Sequence, residues 1–174
     1  MITLILTRHG ETDWNNLGKL SGSTDIPRLN AEGKKQAEDL GKALLAWNVD
    51  VVYSSPLTRC KETAEIINRS LNKEIVYVDD LIERGFGEFE GASRDTFFPM
   101  LDAMPSEQRF AYKPKGGESW NEFEARILVV LEDIVEKNDD KTVLIVGHAG
   151  VVKALLPIIK KVPREEFYDL RIGN

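Results

Sequence analysis

Two apolar runs, each emptying into a histidine, constrain this chain more than any other feature. Residues 2 to 6 lead straight into Thr7-Arg8-His9-Gly10-Glu11-Thr12-Asp13-Trp14-Asn15, and residues 142 to 146 lead into Gly147-His148-Ala149-Gly150. Short apolar and β-branched runs that stop at a glycine-bearing polar turn read as buried strands ending in a loop. These are the only two histidines in 174 residues. Ligands of open α/β sheets sit outside the carboxyl ends of the strands, so both imidazoles fall where a site belongs. A lone histidine at a strand end is ordinarily a packed or capping residue. Two in matched settings, one beside an arginine, point to a functional site.

The stretches between them alternate helix and strand. Asn30 can cap a helix with Ala37, Leu40, Gly41 and Leu44 on one face, ending near Trp47. Val51 to Tyr53 follows as a short strand, with Ser55 as N-cap and Pro56 as first residue of a helix running to about Leu71. Ile75 to Val78 reads as another strand. Ser119 and Glu122 form a capping box for a helix that buries Phe123, Ile127, Val130, Leu131 and Ile134. Strands separated by helices imply right-handed crossovers, so the expected fold is α/β, three layers (α/β/α) around a mostly parallel sheet. The whole chain, 1–174, is expected to form one domain.

Composition narrows the class. The chain has no apolar run near the ~20 residues of a membrane span. Met1 leads directly into the first strand and Cys60 is the single cysteine, which suits a cytoplasmic protein without disulfides. A net charge of −6 argues against a nucleic-acid partner, because counterion displacement needs a basic stripe. An anionic substrate must instead meet local cations. Three loops converge on one sheet edge: Arg8 to Asn15, Ser54 to Arg59, and His148 to Gly150. Arg59 taken alone reads as a solvated surface charge. Together with Arg8, two histidines and helix N-termini it makes a pocket for a compact dianion, and phosphate fits best. Neither a P-loop nor a Cys-x5-Arg loop is present.

Arg8-His9-Gly10-Glu11-Thr12 with Trp14-Asn15, Ser54-Ser55-Pro56-Leu57 with Arg59, and Gly147-His148 resemble the histidine phosphatase superfamily, whose fold is phosphoglycerate mutase-like. Leu81-Ile82-Glu83-Arg84 with Phe86-Gly87 and Glu90-Gly91 matches that family's acid-bearing loop. The resemblance implies that His9 is the nucleophile that becomes a phosphohistidine, that Arg8, Arg59 and His148 surround the phosphoryl oxygens, and that Glu83 is general acid and then base. It also implies contacts to substrate from Asn15, Ser21, Gly22 and Ala149. A solvated Glu83 would be a poor acid. His9 must be neutral to attack, whereas His148 helps most as a cation, which leads to a bell-shaped pH dependence. No metal ligand set and no cofactor is expected, and Glu11 and Asp13 read as capping or orienting residues.

The chain departs from the family pattern in several places. Ser21-Gly22 stands where many members have glutamine and glycine, residues 25 to 29 look one residue longer than usual, and Ala149 replaces a glycine. At residues 172 to 174 relatives begin one more strand, so this sheet either lacks it or the sequence stops short of it. Residues 85 to 117 form either an apolar lid that sets specificity or a satellite core. They carry Arg94, Arg109, Lys113 and Lys115, scattered rather than paired. The paired arginines of a mutase are not evident, which favours hydrolysis of a small phosphorylated metabolite. A mutase dependent on 2,3-bisphosphoglycerate, a phosphoprotein phosphatase and a non-catalytic phosphate-binding module remain the alternatives.

Overall fold

A computed structural model describes the backbone of every residue except 169 and 171, and the side chains of all but 167–169 and 171. Its strands are β1 (Thr3–Arg8), β2 (Val51–Ser54), β3 (Glu74–Tyr77) and β4 (Thr142–Gly147). Its helices are α1 (Asp13–Asn16), α2 (Ala31–Ala43), α3 (Thr58–Leu71), α4 (Arg94–Asp102), α5 (Ser106–Ala111), α6 (Trp120–Lys137), α7 (Ala149–Lys160) and α8 (Glu165–Tyr168). The strands lie in the order β1-β4-β2-β3, all parallel, so β4 sits between β1 and β2. Register runs Thr3 with Thr142 through Arg8 with Gly147, which brings the two histidine loops out side by side.

The pleat decides which helices cover which face. Val143 and Ile145 of β4 join Val51 and Tyr53 under α6 and α7, while Leu144 and Val146 join Val52 under α2 and α3. Helix α6 presents Phe123, Ile127, Val130, Leu131 and Ile134 to the sheet at helical spacing. Each such burial contributes roughly 1.5–3 kcal/mol. Its start is closed by the Ser119–Glu122 capping box, in which Ser119 Oγ accepts from the Glu122 N–H and Glu122 accepts from the Ser119 N–H. Asn30 caps α2 through the Gly33 N–H, and a 3-10 turn over Leu44–Trp47 ends that unit.

The start of α3 differs from the sequence expectation. Ser55 is not its N-cap and Pro56 is not its first residue, because the Ser55 N–H still bonds to the Val146 carbonyl at 3.1 Å, which keeps the chain extended past β2. The helix begins at Thr58, and Asp25 from a distant loop accepts from the Thr58 N–H and hydroxyl. Residues 94 to 111 form α4 and α5. Phe97 and Leu101 pack there with Leu20, Phe86, Phe89 and Phe98 as a satellite core. Among the described residues the sheet has four strands, and residues 172–174 lie outside it.

Candidate active site

The carboxyl ends of β1, β4 and β2 build the site. Pairing continues one residue beyond β1, where the His9 N–H donates to the Gly147 carbonyl at 2.9 Å, fixing His9 against the exit of β4. The His9 and His148 rings stand edge to face with centroids 5.5 Å apart, at 3% and 0% exposure. His9 Nδ1 lies 2.8 Å from the Gly10 carbonyl. A carbonyl only accepts, so Nδ1 carries the proton and the lone pair is on Nε2. Burial, then the Arg8 and Arg59 charges, holds His9 well below the usual imidazole range. It is therefore neutral and a competent nucleophile at pH 7.

Arg59 overturns its surface reading: it is fully buried. Its two terminal nitrogens donate to the carbonyls of Thr24 and Gly22, both at 2.7 Å, and one lies 3.3 Å from His148 Nδ1. A guanidinium only donates, so His148 Nδ1 accepts, and its Nε2–H donates to Ser55 Oγ at 2.9 Å. That is the role of Ser55 in place of a helix cap. The expectation of a cationic His148 is also corrected, since burial first and then Arg59 push it well below its ordinary value. Beneath it Cys60 is buried, its thiol pushed up to about 12 by burial and directed at the Gly147 carbonyl.

Arg8, at the end of β1, donates through Nη1 to the Ile172 carbonyl at 2.8 Å, and burial lowers its pKa to about 10, partly offset by Glu83. Asn15 closes a capping box with Thr12, its Oδ1 accepting from the Thr12 N–H and hydroxyl and, at 3.3 Å, from Asn174. Those bonds direct its amide nitrogen elsewhere. Ser21, Gly22 and Ala149 line the same cleft as His9, Arg8, Arg59, Asn15, Glu83 and His148, so every candidate site residue is gathered there. Among the described residues, three buried polar atoms of this set have no hydrogen-bond partner: Arg8 Nε, Arg59 Nε and Ser21 Oγ. Buried donors of that kind are costly unless something else satisfies them.

Glu83 accepts at 2.9 Å from the Arg84 N–H and at 3.0 Å from the Gly150 N–H, in the first turn of α7, where no side chain caps the helix. The Gly150 contact was not legible in the sequence. A Cβ at position 150 would lie 2.1 Å from Glu83 Oε1, so a larger residue there requires the carboxylate to move. Glu11, by contrast, turns its carboxylate to the amides of Asn16 and Asn30.

Sequence reasoning also missed the mouth of the cleft. An isolated antiparallel bridge pairs Lys19 with Ser93, and the Arg94 N–H donates to the Gly18 carbonyl at 2.8 Å. Lys19 and Arg94 both line the cleft. Lys19 lies over Trp14 and Arg94 over Phe98, at 5.6 and 5.8 Å from the ring centroids. Arg94 is thus not one of a scattered set, whereas Arg109 pairs with Asp102 and Lys113 with Glu122. Only the fold shows that both cations line one cleft.

A family model described as histidine phosphatase superfamily (branch 1) matches residues 4–174. The chain belongs to that superfamily. An uncharacterized phosphatase, PhoE, of Bacillus subtilis is 39% identical over 160 residues, 90% of this chain and 76% of that protein. Phosphoserine phosphatase 1 of Hydrogenobacter thermophilus is 32% identical over 100% of this chain and 83% of its own length. A solved structure of a phosphoserine phosphatase mutant from Entamoeba histolytica, in complex with phosphoserine, superposes with a TM-score of 0.86 at 28% identity, over 100% of this chain and 87% of that one. The fold and the reading of a histidine-dependent phosphomonoester hydrolase agree with these relatives. This histidine phosphatase accordingly has an architecture in which β1 and β4 each deliver one imidazole to the same cleft.

Proposed function

We propose that this chain is a metal-independent phosphatase that hydrolyses small phosphomonoesters through a phosphohistidine on His9. The observation that carries the reading is the set of buried polar atoms without partners, Arg8 Nε, Arg59 Nε and Ser21 Oγ, in the cleft that holds the Nε2 lone pair of His9. A phosphoryl group answers all of them, and Asn15 and the start of α7 at Ala149 add further donors. Nε2 attacks phosphorus in line, the bond from phosphorus to the ester oxygen breaks, and Glu83 gives its proton to the departing alkoxide. Glu83 then takes a proton from water as that water attacks phosphorus and the P–N bond breaks, restoring His9. No cofactor takes part in this cycle, and arginines carry out the neutralisation that a metal performs elsewhere.

Lys19 and Arg94 at the rim favour a substrate whose alcohol portion carries a second anionic group, such as the carboxylate of phosphoserine or 3-phosphoglycerate. Such metabolites fit a cytoplasmic enzyme, and among the described residues no helix is long and apolar enough to cross a membrane. The test is phosphate release from phosphoserine, 3-phosphoglycerate and p-nitrophenyl phosphate, with and without 2,3-bisphosphoglycerate, combined with alkaline quench of labelled enzyme. His9-dependent phosphate release and an acid-labile, base-stable phosphoenzyme that Gln at position 9 abolishes are expected. Isomer formation that needs the bisphosphate would replace hydrolysis by mutase chemistry. Binding of phosphate without turnover of any ester would leave only a binding module.

A further inference from the structure

The Glu90-Gly91 pair belongs to the acid-bearing loop, yet nothing in the proposed chemistry uses Glu90. Its Oε1 accepts from the Ser23 N–H at 2.8 Å, from the Ser23 hydroxyl at 2.9 Å and from the Phe86 N–H at 3.2 Å. Ser23 lies between Gly22 and Thr24, whose carbonyls receive the two terminal nitrogens of Arg59. Phe86 lies three residues after Glu83. One carboxylate oxygen therefore joins the loop that grips the buried guanidinium to the loop that carries the acid. The packing is tight: Gly22 adopts φ +52°, and a Cβ there would lie 2.3 Å from Glu90 Oε1. Backbone bonds between Leu20 and Ala92, and between Gly91 and Leu20, at 2.9 and 2.8 Å, lace the same two loops just beside it.

We propose that Glu90 is a positioning residue that sets Arg59 and Glu83 at a fixed separation, so that phosphoryl binding and leaving-group protonation depend on one shared acceptor. The inference rests on the phosphatase reading above. Arg59 has both terminal nitrogens bonded to the Gly22 and Thr24 carbonyls, so the guanidinium, with an Nε that has no partner among the described residues, goes wherever that loop goes. Without the acceptor at position 90, the Ser23 and Phe86 N–H groups lose their shared partner, and the segments at Ser23 and Phe86 can shift relative to one another while the Leu20 backbone bonds persist. Catalytic groups misplaced by such a shift lose rate steeply, by about 100-fold for 1 Å.

The experiment compares Glu90→Gln, Glu90→Asp and Glu90→Ala by calorimetric binding of inorganic phosphate and by kcat/KM on phosphoserine and on p-nitrophenyl phosphate. Glutamine keeps an acceptor oxygen at the same reach without charge, whereas aspartate keeps the charge and falls short. Gln within about threefold of wild type is expected, with Asp and Ala weakening phosphate about tenfold, which is about 1.4 kcal/mol. The ratio of kcat/KM for p-nitrophenyl phosphate over phosphoserine should rise at least about tenfold in the same two variants, because only the alkoxide needs a well-placed acid. The converse order, Asp like wild type and Gln impaired, would make the charge the operative feature and overturn the proposal. So would a lowered melting temperature with unchanged phosphate affinity and an unchanged substrate ratio. If Ala fails to fold, Gln against Asp decides. A wild-type protein that binds phosphate but hydrolyses neither ester would instead refute the phosphatase reading, while its phosphate affinity still reports on Glu90.

Discussion

Gly150→Ala isolates the placement of Glu83 from everything else in the cleft. The added carbon would lie 2.1 Å from Glu83 Oε1 and 3.2 Å from the Phe123 ring, so the ring blocks relief on that side. An ordinary contact needs the carboxylate to withdraw by more than about 1 Å, and a displacement of that size costs about 100-fold in rate, inside the 10²–10⁴ that general acid catalysis supplies. Retreat also weakens the 3.0 Å bond from the Gly150 N–H. Stability should change little, because alanine favours a helix over glycine by up to about 1 kcal/mol and offsets part of the clash. The assay is kcat/KM, which reports the steps up to departure of the leaving group, on phosphoserine and on p-nitrophenyl phosphate. About 100-fold loss on phosphoserine with less than about tenfold on the nitrophenyl ester is expected. Equal losses on both esters, or undiminished turnover of phosphoserine, would refute the reasoning that this glycine exists to seat the acid.

Three further outcomes follow from the same geometry. His9 and His148 have pKa values lowered by burial, so the unfolded chain binds protons below about pH 6.5 that the folded chain refuses. Stability should be full above that pH and decline as pH falls toward the folded values, by about 1.4 kcal/mol per pH unit for each histidine. Urea midpoints measured from pH 7.5 to 5.5 check the slope, which His148→Gln should roughly halve. Cys60, fully buried with its thiol at about 12, should react with a thiol reagent only at the rate of global opening, and prompt labelling of native protein would contradict its place beneath His148. Arg94→Met and Lys19→Met should each raise KM for phosphoserine about five- to tenfold while leaving p-nitrophenyl phosphate within about twofold, since removal of one exposed cation is worth about 1 kcal/mol. Steady-state kinetics on the two esters decides it.

The strands that carry the histidines were legible because their runs of apolar side chains, buried in β4 and partly buried in β1, stop where Arg8-His9 and Gly147-His148 begin. Helix α6 was legible for a different reason: its cap and its apolar stripe are both local. What sequence reasoning missed depends on contacts between distant segments. Arg59 looks like any surface cation until the Gly22 and Thr24 carbonyls, 37 and 35 residues away, close around it. Ser55 before a proline has the local pattern of a cap, but pairing with Val146 keeps it extended and His148 takes its hydroxyl. The charge of His148 went wrong because chemistry suggested a cation while burial, invisible in sequence, dictates a neutral ring. That Lys19 and Arg94 line one cleft depends on segments brought together by a single bridge whose register nothing local specifies.

The strand order has a consequence for synthesis. β4 is the last strand of the described sheet to be made, yet it lies between β1 and β2, and only through it does β1 join the sheet. A chain still on the ribosome, with Thr142 not yet emerged, holds its nucleophile on a strand with no neighbour and leaves β2 with one edge open. Its apolar β1 must then be kept apart from other chains until residues 142–147 arrive, a topology of the kind that folds slowly. When β4 inserts, the sheet and the pairing of the two imidazoles form in the same event. Appearance of phosphatase activity during translation is therefore a clock for the closing of this sheet.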